Sequence, residues 1–271
     1  MTNDMTKGAI TPLLIRFTIP LVLGNLFQLT YNAADSIIVG KFVGEEALAA
    51  VGTSNPLMTL AILFINGMCL GAGILVSTAF GAGDTRLVER QVSTTAIAGT
   101  VFSLAFSALC VILATPLLQL MQVPADILPI AVNYLRIVFA GLIFTFFYNF
   151  LAATMRALGD SKRPLYFLLV ASFLNIALDL VCIIVFDMGA FGAAFATVFS
   201  QAVAGLGSLL YIMRHYPELR WSREEGRFSL THCAKLCNMG IPMGLQCSIT
   251  AIGSVVLQGA VNGLGSDIVA A

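Results

Sequence analysis

Long uninterrupted apolar runs constrain this chain more than any other feature of its sequence. Only 10% of its 271 residues are charged, against roughly 25% in an ordinary soluble domain. A helix needs about 20 residues to cross a lipid core of about 30 Å. Six runs are that long, and they cover residues 13–39, 47–80, 92–120, 127–155, 165–186 and 190–213. A seventh run begins near Cys237 and continues to Ala271. Runs of this length and number predict an all-α integral membrane protein.

Charge balance, cysteine use and missing motifs exclude several classes of function. Fourteen basic and fourteen acidic residues balance to zero, so no net charge attracts the chain to nucleic acid. The six cysteines mostly stand singly in apolar runs, which is typical of small core residues and not of a disulfide framework. No phosphate-binding loop, zinc-protease pair or serine-histidine-aspartate set occurs. We therefore expect neither an enzyme nor a bound cofactor.

Basic residues are concentrated on one side of the predicted spans. On the side of the N-terminus lie Lys7, Arg16, Arg86, Arg90, Arg156, Lys162, Arg163, Arg214, Arg220, Arg223, Arg227 and Lys235. The connections on the other side contain only Lys41, and Arg136 falls inside a span. Because Lys and Arg accumulate in short cytoplasmic loops, we expect a multi-pass protein of a bacterial plasma membrane with its N-terminus in the cytoplasm.

A short internal repeat divides the chain into two units. Ile19-Pro20 leads to Leu48-Ala49-Ala50, and Ile241-Pro242 leads to Val269-Ala270-Ala271 in the same way. Both copies start from the same side of the membrane, as in transporters that build two lobes around a central cavity. The predicted parts are a six-helix lobe over residues 1–213, a cytoplasmic linker over 214–235 and the truncated start of a second lobe over 236–271. The alternative is two unrelated helices that both use Ile-Pro.

Apart from Arg16, at the cytoplasmic start of the first span, three ionisable residues lie inside predicted spans, where each costs about 2.5 to 3.5 kcal/mol to insert. They are Asp35, Arg136 and Asp179. Asp35 and Asp179 fall in the outer halves of their helices, and Asn175 lies one turn from Asp179 on the same helix face. Tyr134 and Thr197 reach a similar depth in their own spans. These polar side chains are therefore expected to share one depth in the membrane.

Two neighbouring carboxylates in a low-dielectric medium repel each other, so such a pair can load and release a proton. Carboxylate, amide and hydroxyl oxygens are also hard ligands that suit a small cation such as Na+. The residues of this predicted H+ or Na+ site are Asp35, Asn175, Asp179 and Thr197. In the alternative, Asp179 forms a structural salt bridge with Arg136 and Asp35 extends to the membrane surface.

Several motifs are spread over essentially the whole chain. They are Ile19-Pro20 with Tyr31-Asn32-Ala33-Ala34-Asp35, Ala47-Leu48-Ala49-Ala50-Val51-Gly52, Met155-Arg156-Ala157-Leu158-Gly159-Asp160, and Asn175-Ile176-Ala177-Leu178-Asp179 followed by Gly192-Ala193-Ala194-Phe195-Ala196-Thr197. Together they resemble the multidrug and toxic compound extrusion family of transporters, on its DinF-like branch. The resemblance implies twelve helices in two six-helix lobes that form an inverted V. This chain would then hold the N-terminal lobe and the seventh helix.

The resemblance also assigns roles to particular residues. It implies that the first lobe carries the cation site at Asp35, Asn175, Asp179 and Thr197. It further implies that Tyr134 and Asn149 are neighbours of the substrate cavity. Arg136 is the one basic residue that we place inside the cavity from the sequence.

These observations predict a secondary antiporter that exports organic, cationic and amphipathic compounds in exchange for H+ or Na+. Its expected partners are a small-molecule substrate and the lipid bilayer, without nucleic acid, and the complete protein is expected to be monomeric. A lipid-linked saccharide flippase is the alternative transporter, but it should hold several basic residues in its cavity, where only Arg136 is available. A seven-helix receptor or intramembrane enzyme fits the helix count, but the cytoplasmic N-terminus, the repeat and the missing catalytic set argue against both.

Overall fold

The computed structural model describes residues 9–216 and 228–262, and its regular structure there is helical throughout. The helices are α1 (Ile10–Phe42), α2 (Glu45–Gly81), α3 (Thr85–Leu120), α4 (Leu128–Ala140), α5 (Leu142–Ala157), α6 (Lys162–Leu180), α7 (Gly189–His215) and α8 (Leu230–Asn262). A π-helical segment, Val181–Val185, continues α6. The ends of the bundle are called here the basic end, where α2 ends and α3 begins, and the opposite end, where α1 ends and α2 begins.

Six or seven membrane spans can be counted in the described part of the chain. Six of its helices are long and apolar enough to cross a membrane, and a seventh span is reached if α4 and α5, which meet at an angle of 42°, are counted as one broken span. The bend falls at Gly141, where an added Cβ would lie 2.3 Å from the Val198 side chain of α7. The predicted all-α membrane fold is confirmed, and the predicted span over residues 127–155 is a broken one.

Two glycine-aspartate pairs make the sharp turns at the basic end. Gly83 and Gly159 have φ values of 74° and 85°, a backbone conformation that favours glycine. Asp84 then accepts a hydrogen bond from the backbone N–H of Leu87 at 3.0 Å. Asp160 accepts from the first backbone N–H groups of α6. Each carboxylate thereby pairs with N–H groups that have no partner within the helix, so the next helix begins at a fixed position.

Helix α8 packs against α2 along a line of glycines, called here the glycine seam. Gly67 and Gly71 of α2 face Gly244 and Gly240 of α8. A Cβ added at Gly67 would lie 2.5 Å from the Gly244 Cα, and one added at Gly71 would lie 2.8 Å from the Gly240 Cα. The two helices therefore touch backbone to backbone, as small residues permit in membranes.

Helices α1 and α8 are alike, as the predicted repeat requires of its first elements. Each contains a proline in its first half, Pro20 in α1 and Pro242 in α8. The second copy of the Leu-Ala-Ala motif, at residues 269–271, lies outside the described residues, as do positions 217–227 of the predicted linker. The division into two lobes stays a prediction.

Candidate functional site

Two carboxylates from different helices meet near the C-terminal ends of α1 and α6. Asp35 of α1 and Asp179 of α6 lie close enough to interact directly. The side chain of Asp179 is completely buried, and that of Asp35 is partly buried. The fold therefore brings together the two acidic residues that the sequence singles out inside its apolar spans.

The other predicted members of the cation site come from neighbouring helices. The Asn175 side-chain amide of α6 donates to the Thr197 hydroxyl of α7 at 3.4 Å. The Thr197 hydroxyl in turn donates to the Ala193 carbonyl at 3.0 Å. Tyr134 of α4 is buried within electrostatic reach of both carboxylates, and its hydroxyl lies 3.9 Å from the sulfur of Met58. Four helices thus contribute side chains to one polar region.

Two further residues belong to this region, and the sequence reasoning assigns neither of them a role. Tyr31 lies one turn before Asp35 on α1, beside the side chains of Gln28 and Gln201. Gln201 lies one turn after Thr197 on α7. Both follow the spacing of four residues that places side chains on one helix face, and that spacing is the signal that could have found them. The name acidic cluster is used below for Asp35, Asn175, Asp179, Thr197 and Gln201.

The acidic cluster contains buried oxygen atoms that accept no hydrogen bond. The five atoms are Asp35 Oδ1, Asn175 Oδ1, Asp179 Oδ1, Asp179 Oδ2 and Gln201 Oε1. Buried polar atoms are almost always paired, and each unpaired one destabilises a fold by about 1–3 kcal/mol. Acceptor oxygens without donors, carried by three helices, fit a proton or a hard cation such as Na+.

The backbone changes its hydrogen bonding directly after Asp179. Residues Val181–Val185 are π-helical, a conformation that is frequent at functional sites. Gly192 of α7 lies against this segment, because an added Cβ there would be 2.9 Å from the Cys182 Cβ. Glycine at this position lets α7 approach α6 closely, so that Thr197 comes within reach of Asn175.

Arg136 lies away from the acidic cluster. It is exposed on α4, and its Nη2 donates to the Thr115 hydroxyl of α3 at 3.2 Å. Tyr134 is only two residues away, and two residues correspond to opposite faces of a helix, so a buried Tyr134 turns Arg136 outward. The alternative of a structural salt bridge between Asp179 and Arg136 is therefore wrong, because Arg136 donates to Thr115 and neither Asp179 oxygen accepts a hydrogen bond.

A cavity of about 890 Å³ lies between α1, α2, α5 and α8. Its polar lining consists of Asn25, Gln28, Asn66, Ser77, Asn149 and Arg156. Asn149 lies at the cavity wall, and its amide donates to the Thr145 carbonyl at 2.8 Å. Arg156 also lines this cavity, whereas Arg136 and Tyr134, both predicted to lie beside the substrate cavity, do not. Gln28 reaches both regions, since it lines the cavity and lies beside Tyr31.

Comparison with known proteins gives a consistent set of matches. The family model described as MatE matches residues 20–181. The chain is 33% identical over 273 residues to the probable multidrug resistance protein YpnP of Bacillus subtilis strain 168, and this match covers 98% of the chain. It is 28% identical over 278 residues to the probable multidrug resistance protein YoeA of the same organism, and this match covers 100% of the chain.

Solved structures show the same helical arrangement. One is a multidrug resistance MATE family transporter of the MOP superfamily in an outward-facing conformation, which matches with a TM-score of 0.83 at 25% identity. That match covers 91% of this chain and 55% of the other. The chain spans 59% of the length of YpnP and 60% of that of YoeA.

Proposed function

This chain belongs to the MatE family, the multidrug and toxic compound extrusion family, and on that premise we propose that it forms the first lobe and the seventh helix of a cation-coupled exporter. The chain is a multi-pass membrane protein, and the relatives it resembles carry the name of multidrug resistance proteins. The proposed activity is secondary antiport, in which small organic amphipathic molecules leave the cell as H+ or Na+ enters. The DinF-like branch and a monomeric state stay predictions.

The observation that carries this proposal is the set of five unpaired oxygens in the acidic cluster. A bound proton or Na+ would pair these oxygens and reduce the repulsion between Asp35 and Asp179. Binding would thereby stabilise one arrangement of the lobes over another, which is the condition for a ligand to shift a conformational equilibrium. Gln28 and Tyr31 offer a contact path from the cluster to the cavity.

The proposal is tested by efflux from everted vesicles that contain the full-length gene product, with the H+ and Na+ gradients imposed separately. Asp35→Asn and Asp179→Asn should each abolish gradient-driven efflux, because each removes a negative charge that attracts the cation. The double variant should be about as defective as either single one, since residues that act as one site are not additive. Membrane insertion should persist, because removing a buried charge relieves an insertion cost.

The matched control is Asp126→Asn, which makes the same change at an exposed position outside the acidic cluster. This variant should transport like the wild type. Unchanged counter-ion flux per exported molecule in both Asp35→Asn and Asp179→Asn would falsify the coupling role. If these variants are not expressed while Asp126→Asn is expressed normally, the two carboxylates are needed for folding, which contradicts a role in coupling alone.

We further propose that the basic end faces the cytoplasm of a bacterial cell. The support is the asymmetric distribution of basic residues. Lys162 at the basic end and Glu45 at the opposite end are both exposed. The test introduces Lys162→Cys or Glu45→Cys into a background without native cysteines. A membrane-impermeant thiol reagent added to intact cells should label position 45 and leave position 162 unlabelled until the membrane is opened. The reverse labelling would exclude this orientation.

A further inference from the structure

Arg156 is a charged group at the cavity wall without an anionic partner among the described residues. It lies in the last turn of α5 and lines the cavity. The groups within its electrostatic reach are Tyr148 and Cys69, and both side chain types are ordinarily neutral near pH 7. Asp160 follows closely in sequence, but its carboxylate binds Tyr216 and the backbone at the start of α6.

The rest of the cavity lining carries no opposing charge. Its other polar side chains are amides and one hydroxyl, and no acidic residue of the described chain lines it. The lining charge of this cavity is therefore positive. Positive charge in a confined, partly apolar space attracts anions and repels cations, and a partly buried guanidinium without an acid is stabilised when an anion binds it.

The shape of the cavity suits an amphipathic molecule. A volume of about 890 Å³ falls in the range of sites for drug-sized ligands. Apolar side chains such as Phe17, Leu70 and Ile74 line the wall. Arg156 lies toward the basic end, where Gly81 and Gly159 also line the cavity, so an apolar body can occupy the interior while a polar group reaches Arg156.

We propose that Arg156 binds the anionic head group of an amphipathic ligand, a carboxylate, sulfonate or phosphate, whose apolar body occupies this cavity. The guanidinium fork matches such groups because it can donate two parallel hydrogen bonds to them. The proposal names a substrate class for the exporter. That the bound ligand is also transported rests on the proposed function. It replaces the cationic class expected from the sequence.

The test uses two fluorescent probes that differ only in charge, dansylaminoundecanoic acid and its carboxamide. Both are titrated against the full-length gene product in nanodiscs of phosphatidylcholine, with no ion gradient. The acid should bind the wild type more tightly than the amide. Arg156→Gln should weaken binding of the acid about tenfold or more, the effect of losing a hydrogen bond to a charged group, and leave the amide unchanged.

Binding of the amide reports that the Arg156→Gln variant is folded. Arg156→Lys keeps the charge without the fork and should retain part of the preference for the acid. Arg136→Gln is the matched control, because it removes the same charge at an exposed position outside the cavity and should bind both probes like the wild type.

The same titration in nanodiscs that contain phosphatidylglycerol distinguishes two sources of the anion. Competition by this lipid in the wild type, absent in Arg156→Gln, identifies a lipid phosphate as the bound group. If the affinity for the acid probe is the same with and without phosphatidylglycerol, the bound group belongs to a free amphipathic anion. Equal binding of acid and amide to the wild type, or equal weakening of both by Arg156→Gln, overturns the proposal. Because no gradient is used, this failure is distinguishable from failed antiport, which shows only in vesicle efflux.

Discussion

At the scale of single residues, the neutral side chains of the acidic cluster should matter less than its carboxylates. Asn175 and Thr197 offer one oxygen each and carry no proton that titrates near neutral pH. Asn175→Ala and Thr197→Ala should therefore raise the H+ or Na+ concentration that gives half-maximal efflux about fivefold, the effect of one lost polar contact of about 1 kcal/mol. The maximal efflux should remain near that of the wild type.

The control for these two variants is Arg136→Ala, which removes the contact between α4 and Thr115 on the bundle surface. It should leave the cation dependence unchanged. If Asn175→Ala and Thr197→Ala also leave it unchanged, the two side chains only join α6 to α7. If Arg136→Ala abolishes efflux, its position outside the site is contradicted.

Some of the site could be predicted from the sequence because charge is rare inside apolar spans. Asp35 and Asp179 are conspicuous for that reason, and Asn175 follows from its spacing to Asp179. Arg156 could not be placed in this way. Basic residues near a span end ordinarily belong to a loop, whereas here the packing of α5 against α2 turns this one toward a cavity.

At the scale of helices, the glycine seam should tolerate no side chain. Gly67→Ala would place a Cβ 2.5 Å from the Gly244 backbone, so α2 and α8 must separate along the seam. The variant should lower the unfolding temperature in detergent and reduce efflux. The loss should be about 1–3 kcal/mol, as for overpacking of a tight core.

The matched control is Gly52→Ala, a change on the same helix where an added Cβ has nothing within 4 Å. It should leave the unfolding temperature unchanged or raise it slightly, because alanine has the higher helix propensity by up to about 1 kcal/mol. Equal unfolding temperatures for Gly67→Ala and Gly52→Ala would contradict backbone contact between α2 and α8.

The helices themselves are largely predictable, whereas their irregularities are not. Apolar length is enough to locate the spans, since only a helix satisfies its own backbone within lipid. The bend between α4 and α5 depends on Gly141 meeting Val198 of α7, and the π-helical segment Val181–Val185 depends on packing near Gly192. Such contacts between helices distant in sequence leave no periodic signal along the chain.

At the scale of the whole molecule, the two ends of the bundle differ. The cavity extends toward the basic end, where Arg156 and Gly81 line it. At the opposite end, Asn262 joins α8 to α2 and to the end of α3. Its amide donates to the Met121 carbonyl at 2.9 Å, and its oxygen accepts from the Thr53 hydroxyl at 3.5 Å. If transport proceeds by alternating exposure of the cavity, these contacts must break when the opposite end opens.

The last prediction follows from these contacts. In a background without native cysteines, Thr53→Cys with Asn262→Cys should react with a short, reducible bis-methanethiosulfonate reagent, since the two side chains meet in the structure. The cross-link should abolish efflux by fixing α8 to α2 at the opposite end, and a reducing agent should restore it. Each single cysteine variant, treated in the same way, should keep its activity. Full efflux by the cross-linked protein would mean that this end stays closed during transport, and the cavity would then need another exit.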